Sequence, residues 1–88
     1  MPASLRVRAD ALEWREVEGE IVALDLRRSQ YLAINPSGAA LWPALLEGAS
    51  REELVERLCA EAGIDREAAG PDVDAFLAQL ADHDLLAD

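Results

Sequence analysis

The dipeptide Asn35-Pro36 constrains this chain more than any other feature, because it ends one kind of backbone and starts another. Asn is a strong helix N-cap, and Pro suits the first helical position, where its missing N–H costs nothing and its φ is already helical. Whatever precedes this pair must finish at Asn35. What precedes it is extended: Val22, Leu24 and Leu26 alternate with Ala23 and Asp25, and Leu32 and Ile34 repeat that alternation after the polar run Arg27-Arg28-Ser29-Gln30. A period of two is that of a half-buried strand. Strands are expected over 20–26 and 30–34, with a helix starting at Pro36.

Upstream, Leu5, Val7 and Ala9 alternate with arginines, and Leu12, Trp14 and Val17 sit among charged residues. This pattern predicts strands over 4–9 and 12–17, with Glu18-Gly19 as the turn into the next one. The strands form an antiparallel meander whose last member is Gln30 to Ile34. Because a helix follows directly, nothing later in the chain is free to pair with that member.

Downstream the period changes. The first helix carries Ala40, Leu41, Leu45 and Leu46 inward, and Pro43 should kink it or make it end and resume. Ser50 and Glu53 spell a capping box, Leu54, Val55, Leu58 and Cys59 an apolar stripe, and Gly63 a helix stop, so the second helix is expected over 51–62. Asp65 is expected to cap a short turn over 66–69, and Gly70-Pro71 to restart the main third helix, with Val73, Phe76, Leu77 and Leu80 at i, i+3, i+4 and i+7. Leu85 and Leu86 close the core. The fold class is α+β: a small antiparallel sheet of three to four strands followed by three helices, winged helix-turn-helix-like, in one domain over residues 1–88.

Composition narrows the function. No segment of the 88 residues approaches the apolar length that crosses a bilayer, and the first residues lack a signal core, so a cytoplasmic protein is expected, with no membrane partner. Net charge is −10 and uneven: residues 1–46 carry six acids and five arginines, residues 47–88 twelve acids and three arginines. Such a helical half attracts cations and basic peptides and repels phosphate backbones. With Asp72, Asp74 and Asp82 on the third helix, no nucleic-acid partner is expected.

Catalytic chemistry finds little support. One His and one Cys lie far apart in sequence; Cys59 falls on an apolar helix face, and His83 near a helix C-terminus, where the dipole favours a cation. No spacing gathers metal ligands and no glycine-rich loop cradles phosphate. Trp14 and Trp42 read as packing residues with their indole N–H groups at the periphery. A non-catalytic binding protein without metal or cofactor is expected.

The binding feature is the last strand. An edge strand with unpaired N–H and C=O groups is a template for another strand, and Gln30 to Ile34 lacks the lysines that blunt such edges. With the third helix beside it, Gln30, Tyr31, Leu32, Ala33 and Ile34 form one wall of a groove, and Asp72, Val73, Phe76, Gln79 and Leu80 the other. Leu32, Ile34, Leu77 and Leu80 also suit the core, which leaves Tyr31, Ala33, Phe76, Asp72 and Gln79 as the preferred contacts.

In its Leu24-Asp25-Leu26, its Tyr31-Leu32-Ala33-Ile34-Asn35, its Gly38 with Leu41-Trp42, its Leu46-Glu47-Gly48, and its Asp72-Val73 with Phe76-Leu77, Leu80 and Leu85-Leu86, the chain resembles the PqqD family, the small RiPP recognition elements. The stand-alone lasso-peptide type is the nearest likeness, over about residues 5 to 87. Three positions depart from the pattern: no glycine at 27–30, Pro43 inside the first helix, and Asp84 where glycine is common. The resemblance implies that the groove takes the leader of a ribosomally made precursor peptide as an added antiparallel strand. A separate cysteine leader peptidase and the ring-forming cyclase are then the expected partners, and Asp72 or Asp74 would pair leader lysines at the rim. The alternatives are a PqqD-like peptide chaperone serving a radical SAM enzyme and a winged-helix DNA-binding regulator.

Overall fold

The structure, a computed structural model, describes residues 4–87. Strands β1 (Arg6–Val7), β2 (Leu12–Val17), β3 (Glu20–Asp25) and β4 (Gln30–Ile34) precede helices α1 (Pro36–Glu47), α2 (Arg51–Ala62) and α3 (Arg66–Asp82), and β5 (Leu86–Ala87) follows. β2, β3 and β4 form the expected antiparallel meander in that spatial order, so β4 is an edge. β2 and β3 are joined by Glu18-Gly19, both at positive φ (52° and 83°), which matches the twist of a tight hairpin.

The first strand does not join this sheet. A 3-10 turn at Ala9–Ala11 redirects the chain, and β1 pairs instead with β5, while Leu5 bridges to Ala49 in the α1–α2 link. Val7 is buried and Leu5 packs half-buried against the core, so the 4–9 segment is anchored at two residues rather than along a full apolar face. β5 had no periodic signal because two residues carry none.

The helices cover one face of the meander. Ile21, Ala23, Leu32 and Ile34 point into a core shared with Leu41, Trp42, Leu45, Leu54, Leu58, Val73, Leu80 and Leu85. This inverts the phase the β3 pattern suggests. Ile21, Ala23 and Asp25 are buried, whereas Val22 and Leu26 are exposed. Pairing decides it: Ile21 lies opposite Ile34 and Ala23 opposite Leu32, the face the helices cover, while Val22 lies opposite Ala33 and Leu24 opposite Tyr31. Alternation showed a strand but could not say which set faced inward.

Asp25, 1% exposed, is accommodated by its turn: one carboxylate oxygen accepts from the Arg27 N–H at 3.0 Å and the Arg28 N–H at 3.4 Å. This is the Asx-type bonding that lets a polar side chain close a loop.

Both prolines expected to interrupt helices are absorbed. α1 runs unbroken through Pro43, which sits on its exposed side, while Leu41, Trp42 and Leu45 pack at 1% exposure or less. The missing N–H leaves the Ala39 carbonyl without its usual donor, and the neighbouring Ala40 carbonyl accepts from Arg57 Nε of α2 at 2.8 Å. α3 begins at Arg66 under an Asp65 cap and continues through Gly70-Pro71, because Ala69 and Val73 are both fully buried and hold the turn on either side. α2 has the expected bounds, with both capping-box hydrogen bonds and Gly63 in the left-handed region.

Trp42 is buried and its indole N–H has no partner among the described residues, so it does not sit at the periphery. Trp14 meets it edge-on at 5.7 Å and remains 42% exposed. Cys59 packs, half-buried, against the core, and His83 is the C-cap of α3.

Candidate functional site: the free edge of β4 and the α3 groove

β4 has a burial alternation that sorts its residues. Leu32 and Ile34 face the core, and Tyr31 and Ala33 face out, with Tyr31 75% exposed. The backbone sorts the same way. The Ala33 carbonyl accepts from Gln79 Nε2 of α3 at 3.3 Å, so it points away from β3 toward the helix. In an antiparallel ladder the main-chain groups of alternate residues share a side, so Tyr31 and Ala33 direct their N–H and C=O groups to the free edge, and Leu32 and Ile34 theirs to β3.

α3 comes close to this edge because of Gly38. A Cβ there would lie 2.7 Å from Ile34 Cγ2 and 2.8 Å from Phe76 Cε1, so only glycine lets the start of α1, the end of β4 and the middle of α3 converge. Its N–H is also the one that the Asn35 side chain caps, at 2.9 Å. The residue that starts α1 thus also sets the groove width.

Between the start of α1 and α3, just past the end of β4, lies a depression of about 120 Å³ lined by Asn35, Ser37, Asp72, Ala75, Phe76 and Gln79; no residue of β4 lines it, and the Gln79–Ala33 hydrogen bond is what links it to the strand. Asp72, Phe76 and Gln79 were expected here; Asn35, Ser37 and Ala75 were not. A signal was available: Asp72, Ala75, Phe76 and Gln79 stand at i, i+3, i+4 and i+7, one face of a helix. That face is rotated one residue from the apolar stripe. Val73, Leu80, Leu32 and Ile34 are buried and none of them lines the depression, so these four support it from beneath; Phe76 is as buried as Leu32, at 5% exposure, and presents only its edge to the depression. Gln30 is exposed at the start of β4, beside the turn.

Charges at the rim are unequal. Asp74 is held by Arg51 of α2 through two hydrogen bonds, at 2.7 and 2.9 Å, and this guanidinium lowers the Asp74 pKa while its own is raised. It is therefore engaged within the protein and is not the rim partner for a guest lysine. Asp72 has no cationic partner among the described residues and borders the depression. Arg66, the basic residue at the start of α3, pairs with Glu52 and Glu56.

The far end of the edge is tied across. Arg27, in the β3–β4 turn, donates to the Asp84 carbonyl at 2.6 Å and lies 3.4 Å from its carboxylate. Two departures from the resembled pattern meet here: Ser29 (φ 54°) and Asp84 (φ 55°) both adopt the left-handed backbone that glycine would take without cost. On the outward sheet face, Val22, Leu24 and Tyr31 form an uncovered apolar surface beside Glu13 and Arg15. Among the described residues no group of three acidic, His or Cys side chains could hold a metal, and no helix is long and apolar enough to cross a membrane.

The model of the family described as Coenzyme PQQ synthesis protein D (PqqD) matches residues 20–86, which run from β3 to the first residue of β5 and include β4 and α3. The chain belongs to the PqqD family. Two solved structures share its shape. "TbiB1 in Complex with the TbiA(beta) Leader Peptide" is 34% identical over 100% of both chains, with a TM-score of 0.76. "Lasso peptide synthetase B1 complexed with the leader peptide" is 24% identical over 96% of this chain and 98% of that one, with a TM-score of 0.77. No curated protein matches by sequence. For this PqqD-family chain, the three helices and small antiparallel sheet are thus a shared architecture, with the two-stranded β1–β5 pairing beside it.

Proposed function

We propose that this protein binds the leader of a ribosomally synthesised precursor peptide by strand addition to β4 and presents it to a separate cysteine leader peptidase in lasso-peptide maturation, with the ring-forming cyclase acting next. The observation that carries the reading is the uncharged free edge at Tyr31 and Ala33, which Gln79 of α3 reaches, next to a depression lined by Asp72 and Phe76. A solved structure 34% identical over 100% of both chains, in complex with a leader peptide, supports it.

The chemistry is recognition, not reaction. The three edge groups still unpaired, at about 1 kcal/mol each, with two or three guest side chains at about 2 kcal/mol each, exceed the several kcal/mol that ordering a flexible peptide costs. The expected affinity is micromolar to high nanomolar, about −7 to −9 kcal/mol. Rim charge contributes little, so moderate salt weakens binding only a few-fold. Asp72 is the residue placed to meet a leader lysine. The apolar outward face, continuous with the edge, is a surface on which the peptidase would dock.

The test is a titration with the leader encoded beside this gene, repeated with Tyr31→Asp and Phe76→Ala. Unchanged affinity in both variants sinks the groove assignment. The family match favours a second reading, a PqqD-like chaperone for a radical SAM enzyme. Exchanging leaders between candidate systems decides between the two, since the cognate leader binds and the foreign one does not.

A further inference from the structure

The hydrogen bond from Gln79 to Ala33 occupies an atom that strand addition needs. A guest strand pairing with Ala33 must donate its own N–H to the Ala33 carbonyl, where Gln79 Nε2 now sits at 3.3 Å. Gln79 is half-buried on the groove face of α3, one turn beyond Phe76 and Ala75, and it reaches the strand across 46 residues of sequence. Its amide is the one side-chain donor on β4's free-edge backbone among the described residues.

We propose that Gln79 is a displaceable stand-in for the guest strand: its amide satisfies the Ala33 carbonyl in the unliganded protein and is exchanged for a backbone N–H of the leader on binding. The proposal rests on the strand-addition reading and deepens it in two ways. Binding is an exchange at Ala33 and a gain only at the Ala33 N–H and the two Tyr31 groups. The guest residue opposite Ala33 must carry an N–H to displace the amide, so proline is excluded there as it is opposite Tyr31. The stand-in also guards the edge: an uncharged strand with its acceptor already engaged is a poorer template for a second copy of itself.

Two measurements test this. In the unliganded protein, the Gln79 side-chain amide should show a scalar coupling to the Ala33 carbonyl by NMR, and the coupling should vanish on adding leader. In titrations, Gln79→Ala and Gln79→Met, which remove the donor with and without the bulk, should both tighten leader binding by roughly two- to fivefold, the net worth of one exposed hydrogen bond. Weaker binding in both variants would show that Gln79 is a contact of the bound state, and equal binding that the bond carries no weight; either result overturns the proposal. So does absence of the coupling. If the wild-type protein binds no leader while the coupling is present, the strand-addition reading fails instead, and the exchange fails with it.

Discussion

The two edges of the three-stranded sheet solve the same problem in opposite ways. β2, with the sequence Leu-Glu-Trp-Arg-Glu-Val, places Glu13, Arg15 and Glu16 along its length, all exposed. β4, with Gln-Tyr-Leu-Ala-Ile, has no charge at all. Charged residues make an edge unattractive to any strand, because a partner would have to desolvate them. An uncharged edge beside a helix instead selects what can enter. The contrast teaches that one edge is blocked by its own side chains, and the other is shaped by tertiary neighbours, Gly38, Phe76 and Gln79.

The largest expected effect comes from closing the approach that shapes the β4 edge. Gly38→Ala puts a methyl within 3 Å of Ile34 and Phe76 and should lower stability by about 1–3 kcal/mol, seen as a lower denaturant midpoint. A midpoint equal to wild type would mean that the convergence of β4 and α3 is loose, and the contrast between edges would lose its structural basis.

Ala33→Pro separates the edge from the sheet. Ala33 directs its N–H away from β3, so the ladder survives, while the guest loses one hydrogen bond and meets the proline ring. Leader affinity should fall roughly tenfold or more in a fluorescence anisotropy titration, on the scale of about 1.4 kcal/mol. A leader that binds this variant as well as wild type does not use β4.

Removing the charges of β2 should make the edges alike. With Glu13→Gln, Arg15→Gln and Glu16→Gln together, the second edge becomes a template, and self-association should appear by light scattering at concentrations where the wild type shows none. A variant that scatters like wild type would show that charge is not what closes β2.

A smaller change tests the turn that flanks β4. Ser29→Gly relieves a left-handed residue and should stabilise the protein by about 0.5–1 kcal/mol in chemical denaturation. A loss of stability would show that Ser29 is held by its side chain and not merely tolerated.

The smallest effect concerns pH. The Asp74 pKa is lowered by Arg51, so this pair contributes stability that is present above the ordinary carboxylate range and disappears as pH falls through the folded value, below about pH 4. Both side chains are open to solvent, at 45% and 57% exposure, so the effect is slight. Asp74→Asn should flatten the acid limb of a stability-against-pH curve, and an unchanged limb would show that the pair is fully screened.

Much of this molecule was legible from short-range chemistry. The Asn35 cap, the capping box at Ser50 and Glu53, the Glu18-Gly19 turn and the α2 bounds depend on neighbours a few residues apart, and each stands where the sequence placed it. That Tyr31, Ala33, Asp72 and Gln79 lie off the core was also legible, because strand and helix periods sort residues by face, whereas Phe76, expected as a contact, is largely buried. Pro43 and Pro71 were misread for a physical reason: a proline inside a helix costs a few kcal/mol, and burial of Leu41, Trp42 and Leu45 in one case and of Ala69 and Val73 in the other exceeds it.

What local sequence determined by itself was where β2, β4 and α2 start and stop and where α1 begins, since caps, turns and periods act within a turn or two of chain. Tertiary structure alone decided which side of β3 is buried, that β1 leaves the meander to pair with β5, that Asp74 is taken by Arg51, and that Gln79 reaches Ala33. Each of these joins residues far apart in sequence or chooses between two faces of equal period. No pattern along the chain encodes that choice until the helices settle on the sheet.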